Sequence, residues 1–166
     1  MQRVSSLRVW RRRTVLLAVG LPALLCALAV PVAAGSTRTP ARGPLSRPPK
    51  IRAHKGPAPK RLVIKNIIKG TGPKAKDERE LTVNYVGAFY SNGKVFDSSW
   101  RDGELFTFTI GRGEVIEGWE RGLVGMRVGG RRELIIPAPL AYGHKGSPPV
   151  IPPNSTLIFV VDLLAA

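Results

Sequence analysis

Gly111-Arg112-Gly113-Glu114-Val115-Ile116-Glu117-Gly118-Trp119-Glu120-Arg121-Gly122-Leu123 is the stretch whose reading decides the fold. Before it, Leu105-Phe106-Thr107-Phe108-Thr109-Ile110 alternates with the period of two that marks a β-strand. After it, Arg131-Arg132-Glu133-Leu134-Ile135-Ile136 reads as a strand again. In between, Val115, Ile116, Trp119 and Leu123 recur at roughly helical spacing, which predicts a short amphipathic helix. Gly111 and Gly113 suit a strand-to-helix turn with unusual φ/ψ, and Gly122 and Gly125 suit the helix exit. So short a helix does not stand alone in water. It must lie on a sheet, with Trp119 as its largest apolar surface. Spacing alone leaves two readings of Trp119: an ordinary core side chain, or the floor of an open apolar cavity.

Working outward, residues 62–68 form a strand candidate that Lys69-Gly70-Thr71-Gly72-Pro73 breaks. Residues 80–90 alternate as a central strand, with Val83, Tyr85 and Phe89 on one face. Asn92-Gly93 is a hairpin signal, and Val95-Phe96-Asp97-Ser98-Ser99 resumes the strand. Residues 100–104 read as a polar bulge or loop. Pro137 stops strand 131–136, residues 138–153 form a long irregular connection, and residues 155–164 close the chain as an apolar strand. The class is α+β, with five or six antiparallel strands and one short helix on one sheet face.

Charge divides the chain. Residues 1–60 carry 12 Lys/Arg and no acid, whereas residues 61–166 carry 14 Lys/Arg and all 11 acids. The domain is therefore nearly balanced, and it holds no nucleic-acid-binding motif, so nucleic acid is not an expected partner. Residues 1–13 contain five arginines, and residues 14–34 are uncharged and apolar. Val32-Ala33-Ala34 offers the small residues that precede a signal-peptidase cut. A cleaved signal and an uncleaved anchor both fit residues 1–34, since such a run is about long enough to span a bilayer. Either way the domain is expected to be exported, secreted or held on the outer face of the membrane. Residues 35–60, with six Pro, seven Lys/Arg and no aromatic residue, read as a disordered linker that makes membrane contact possible. The domain is expected over 61–166.

The single cysteine, Cys26, lies in the apolar run, so the domain has neither a disulfide nor a cysteine-based metal site. His54 and His144 are isolated, no phosphate loop or nucleophile elbow is present, and Gly111-x-Gly113-x-x-Ile116 lacks the third glycine of a dinucleotide fingerprint. No metal or cofactor is expected. Glu114, Glu117 and Glu120 read as a solvated helix face. No oligomerisation seam is visible, so a monomer is expected.

What remains is an aromatic set: Tyr85, Phe96, Phe106, Trp119, Tyr142 and Phe159, with one acid, Asp97, directly after Phe96. If the rings closed on one another, Asp97 would be buried at high cost. A shallow pocket with Asp97 and the two tyrosine hydroxyls on its rim meets both demands.

Val95-Phe96-Asp97-Ser98-Ser99, Gly113-Glu114-Val115-Ile116-Glu117-Gly118-Trp119-Glu120, Ala141-Tyr142-Gly143 and Ile151-Pro152-Pro153-Asn154-Ser155-Thr156-Leu157-Ile158-Phe159 occur in this order. Together they resemble the signatures of FKBP-type peptidyl-prolyl cis-trans isomerases across residues 61–166. The resemblance implies a twisted antiparallel sheet wrapped around one short helix. It also implies rotation of X–Pro bonds without a cofactor. Clients would be proline-containing polypeptides, and inhibitors would be macrolides of the tacrolimus and rapamycin type. By position it puts an indole platform at Trp119, walls at Tyr85, Phe96, Phe106, Val115, Ile116 and Phe159, and the pocket acid at Asp97. The loop tyrosine falls at Tyr142, flap hydrophobics at Val150 and Ile151, and a carbonyl-binding N–H at Ile116. The chain departs from the pattern where Asp102 replaces an arginine that pairs with the acid. Leu140 replaces a common tyrosine, and the flap, Gly146-Ser147-Pro148-Pro149-Val150-Ile151, has an extra proline. The alternative is a non-catalytic module or holdase that grips proline-containing segments.

Overall fold

A computed structural model describes residues 43–54 and 56–166. The expected signal or anchor, 1–34, and residues 35–42 of the expected linker lie outside the described residues. Six strands form one antiparallel sheet: β1 (Val63–Ile68), β2 (Glu80–Phe89), β3 (Val95–Ser98), β4 (Phe106–Thr109), β5 (Arg131–Ile136) and β6 (Leu157–Ala165). The order is β1-β5-β6-β2-β3, and β4 also pairs with β2. Each strand lies within about two residues of its expected place. One short helix, α2 (Glu117–Leu123), covers one face. The expected polar loop at 100–104 instead begins as a single helical turn, α1 (Ser99–Asp102), closed by Gly103 in the left-handed region.

Strand β2 explains why α1 is there. Its outer edge pairs with β4 through residues 80–83 and with β3 through residues 86–88. The gap falls at Asn84 and Tyr85. Ser99 fills it: the Tyr85 N–H donates to Ser99 Oγ at 2.8 Å, and Ser99 Oγ donates to Asn84 Oδ1 at 2.9 Å. A backbone N–H that loses its ladder partner inside a protein needs another acceptor.

Alternation sorts β6 into two buried faces. Leu157, Phe159, Val161 and Leu163 join the core under α2, with Leu81, Val83 and Tyr85 of β2 and Leu134 and Ile136 of β5. Ile158, Val160 and Asp162 point the other way and are also buried. Helix α2 approaches β5 through two glycines one turn apart. A Cβ at Gly118 would stand 2.4 Å from Ile136 Cγ2, and one at Gly122 would stand 2.8 Å from Leu134 Cδ2. Gly122 is therefore a close-packing residue, which corrects its reading as a helix exit. Gly111, Gly113 and Gly125 have positive φ, as a turn into and out of the helix requires. At the helix end Arg132 Nη1 donates to the carbonyls of Gly122 at 2.7 Å and Val124 at 3.3 Å, satisfying orphan acceptors with a cation.

Described residues before the expected domain start at 61 also take part in compact structure. One compact unit spans Ala41–Ala166. The residues expected to be linker contain no helix or strand within 43–54 and 56–60, yet several are bonded to the sheet: Arg131 Nη2 donates to the Arg47 carbonyl at 2.8 Å, and the His54 N–H to the Tyr90 carbonyl at 3.3 Å. Prolines and cations suppress regular structure without preventing backbone groups from finding partners on a neighbouring surface.

Candidate active site

Trp119, on the inner side of α2, is 4% exposed. Tyr85 meets its ring edge-on at 5.3 Å and Phe159 at 5.3 Å, with interplanar angles of 82° and 89°. Phe106 lies 6.1 Å away and Phe108 5.6 Å away. Phe96 reaches the group through Phe159, at 5.7 Å and 88°. Edge-to-face packing of this kind suits the ring quadrupoles. Phe96, Phe106, Val115, Ile116 and Tyr142 are only partly buried and pack against this cluster. The indole therefore belongs to the core, the first of the two readings of Trp119, with partly exposed side chains packed against the same cluster. Its Nε1 is buried without a partner among the described residues.

Asp97 is held at the edge of this group. The Tyr85 hydroxyl donates to Asp97 Oδ2 at 2.7 Å, and the Ser98 N–H donates to Oδ1 at 2.9 Å. No cation lies within salt-bridge distance of Asp97 among the described residues, and Arg101 pairs instead with Asp102 at 3.9 Å. The carboxylate thus relies on one tyrosine hydroxyl and one amide. Burial, then the hydrogen bond to Asp97, raises the Tyr85 pKa far above the ordinary tyrosine range. Burial and the nearby Asp97 charge push Tyr142 up to about 12. Both hydroxyls are neutral donors at physiological pH. Tyr85 is buried rather than on the rim, and Ile151 is a core residue at 3% exposed rather than a surface flap residue. Val150 is 40% exposed and stands outside the packed cluster.

Ile116 precedes α2 with extended backbone, φ −60° and ψ 148°. Its carbonyl accepts from the Trp119 N–H at 2.8 Å, and its own N–H has no acceptor among the described residues. That N–H is available to a ligand carbonyl. The loop bearing Tyr142 is tied to itself: Gly143 N–H donates to the Ala138 carbonyl at 2.7 Å, Gly146 N–H to the Tyr142 carbonyl at 3.0 Å and Asn154 N–H to the Gly143 carbonyl at 3.0 Å.

Four contributors escaped the sequence reading. Gly87 is paired with Asp97 on β3 and with Phe159 on β6. A Cβ there would stand 2.7 Å from Phe159 Cε1 and 2.9 Å from Phe96 Cζ, so glycine makes room for the crossed rings. An isolated glycine inside an apolar strand was the available signal. Ser99 carried no such signal. Glu120 is not simply solvated: its Oε1 accepts from the Gly113 N–H at 2.9 Å and its Oε2 from the Gly111 N–H at 2.5 Å. Glu114 Oε2 accepts from the Thr109 N–H at 2.8 Å. These carboxylates pin the turn that places Val115 and Ile116. Among the described residues no group of three or more His, Cys, Asp or Glu could hold a metal ion.

Residues 72–164 match the family described as FKBP-type peptidyl-prolyl cis-trans isomerase. The chain is 49% identical over 118 residues to an FK506-binding protein of Streptomyces anulatus, covering 70% of this chain and 95% of that relative. It is 44% identical over 118 residues to a probable FK506-binding protein of Corynebacterium glutamicum, covering 71% and 98%. Among solved structures, AtFKBP13 superposes with a TM-score of 0.60 at 39% identity, over 65% of this chain and 94% of that one. FkpA from Escherichia coli superposes with a TM-score of 0.59 at 40% identity, over 70% and 51%.

Proposed function

The chain belongs to the family of FKBP-type peptidyl-prolyl cis-trans isomerases, and we propose from that premise that the aromatic site around Trp119 is where it turns X–Pro bonds. The observation that carries the assignment is the half-exposed ring of Phe96, Phe106, Val115, Ile116 and Tyr142 around a buried indole, beside a cation-free Asp97. An X–Pro amide rotates over a barrier of about 18–20 kcal/mol because twisting it breaks C–N resonance. The twisted amide is less dipolar than the planar one, so a dry aromatic surface favours it relative to water. The pyrrolidine ring packs on Trp119. The Ile116 N–H and the Tyr142 hydroxyl bind flanking carbonyls in the turned geometry, which supplies orientation. Asp97 and the Tyr85 hydroxyl polarise the opposite wall. Phe159 backs the ring, Val150 flanks the entry, and Ile151 supports the loop from within the core. Each ~1.4 kcal/mol removed from the barrier gives tenfold in rate, so a few such contacts suffice.

The same surface is the proposed site for macrolides of the tacrolimus and rapamycin type, as the names of the Streptomyces and Corynebacterium relatives suggest. The proposed clients are slow-folding, proline-containing exported polypeptides. Export is supported by the arginine block, apolar run and small residues of 1–34, and the basic 35–60 segment supports contact with anionic lipid. A monomer is the proposed state.

The test is cis-to-trans isomerisation of a proline tetrapeptide by the purified chain, with and without a tacrolimus-type inhibitor. Inhibitable turnover that falls in an Asp97→Ala variant is expected. Inhibitor binding without turnover would make the chain a proline-binding module instead. A folded chain that neither binds nor turns over would remove the site assignment.

A further inference from the structure

Tyr85, Phe96 and Asp97 sit on the β2–β3 hairpin, and β3 is a four-residue edge strand that pairs only with β2 among the described strands. So short an edge holds its register weakly by itself. The turn of this hairpin is gripped from outside the family match, by Ala53, His54 and Pro57. The His54 ring stacks on Tyr90 with centroids 5.1 Å apart and planes 12° apart. The His54 N–H donates to the Tyr90 carbonyl at 3.3 Å, and the Tyr90 hydroxyl donates to the Pro57 carbonyl at 3.2 Å. Ala53 lies so close over Gly93 that a Cβ there would stand 2.7 Å from the Ala53 nitrogen. The Tyr90 N–H donates to the Thr156 carbonyl at 3.1 Å, so Tyr90 is held between β6 and this segment.

The segment is anchored at its other end too. Arg47 gives its carbonyl to Arg131 Nη2, and Arg131 is itself bound to the buried Asp162 through Nε at 2.5 Å and Nη2 at 2.7 Å. Seven residues separate Arg47 from His54, a reach of at most about 25 Å at full extension. Asp162 lies opposite Asn84, and the six residue steps from Asn84 along β2 to Tyr90 cover about 20 Å. The segment therefore has the length to span the sheet face turned away from α2 between its two anchors. That face carries Val86, Ala88, Ile135, Ile158 and Val160, all buried although none belongs to the core beneath α2.

We propose that residues 47–54, together with Pro57, form a strap that positions the wall of the catalytic site, with His54 as its positioning residue. The strap clamps Tyr90 and Gly93, and through that turn it sets the register in which β3 presents Phe96 and Asp97. The proposal takes only the location of the site from the isomerase reading.

The test uses the full chain in three forms: wild type, His54→Ala and His54→Phe, the last keeping a flat ring over Tyr90. Amide hydrogen exchange is read at the 90–94 turn and across β5–β6. Isomerase kcat and KM and the Kd of a tacrolimus-type ligand are measured on the same samples. In His54→Ala, turn amides should exchange roughly fivefold faster, the size expected for one aromatic pair. KM and ligand Kd should rise by a similar factor, with β5–β6 exchange unchanged. His54→Phe should restore all of these to within about twofold. Turn amides that exchange as slowly in His54→Ala as in wild type would overturn the strap. So would acceleration shared equally by β5–β6, which would mean general destabilisation. Faster turn exchange with unchanged KM and Kd would overturn the positioning role. A wild type without turnover sinks the isomerase reading and leaves the exchange and ligand-affinity tests of the strap intact.

Discussion

On β6, Leu157, Phe159, Val161 and Leu163 face α2 and the aromatic site, whereas Ile158, Val160 and Asp162 face the other way. The inner face is finished by side chains: α2, two close-packed glycines and a set of crossed rings. The outer face is finished by backbone: carbonyls of Arg47 and Pro57 and the N–H of His54 bind Arg131 and Tyr90. The inner face keeps Phe96 and Phe106 partly exposed, beside one carboxylate that no cation neutralises among the described residues. The outer face buries Ile158 and Val160 and neutralises its carboxylate with Arg131. Two acids of the same sheet thus have opposite fates: Asp162 is ion-paired within the fold, and Asp97, without a cation, is the acid proposed for the site.

The difference is sharpest when the Arg131–Asp162 pair is broken. Arg131→Ala leaves a buried carboxylate without its partner and should cost about 3–5 kcal/mol in denaturant unfolding. Ligand affinity of the molecules that remain folded should change little. A cost under about 1 kcal/mol would mean that the outer face does not support the fold. Replacing both residues by apolar ones of similar volume should recover most of the loss.

Gly87→Ala attacks the inner face. Its Cβ has no room beside Phe159 and Phe96, so overpacking should cost about 1–3 kcal/mol. Here the ligand should suffer as well, with Kd for a tacrolimus-type macrolide rising about tenfold, since the displaced rings are pocket walls. Unaltered affinity would show that the crossed rings are core only.

Asp97→Asn is the functional counterpart of Arg131→Ala. It keeps an acceptor for the Tyr85 hydroxyl and removes only charge, so stability should move by no more than about 1 kcal/mol. Turnover of a proline tetrapeptide should fall about tenfold. A large stability loss with normal turnover would make Asp97 a structural acid like Asp162.

The smallest effect concerns pH. Tyr142 is raised from its ordinary value of 10.0 to about 12 by burial and by Asp97. A group whose folded pKa is raised gives stability that is fully present below the unfolded value and is lost as pH climbs through the folded one. The domain should therefore lose stability between about pH 10 and 12, and Tyr142→Phe should lose less of it over that window. Parallel curves for the two proteins would remove Tyr142 from the account.

Legibility followed the same division. The aromatic positions, Asp97 and the turn glycines Gly111 and Gly113 were readable because side-chain type and period carry the information. Strand β6 was read as apolar throughout, which says that both faces are buried and nothing about what covers the second. The covering segment read as linker, because six prolines and seven cations predict what a segment cannot form and say nothing about which carbonyls it offers. Ser99 and Glu120 were invisible for a related reason: their partners are backbone N–H groups orphaned by a gap in a ladder and by a turn.

By itself the sequence determined the strands, the short helix, the family and the set of side chains around Trp119, since these follow from local period and from residue types at fixed spacing. Only the tertiary structure decided which acid is paired and which is free, why Gly87, Gly118 and Gly122 are glycines, and that Arg47, His54 and Pro57 bond to Arg131 and Tyr90. Those outcomes rest on close approaches and backbone hydrogen bonds between segments far apart in the chain, and composition and period do not encode such distances.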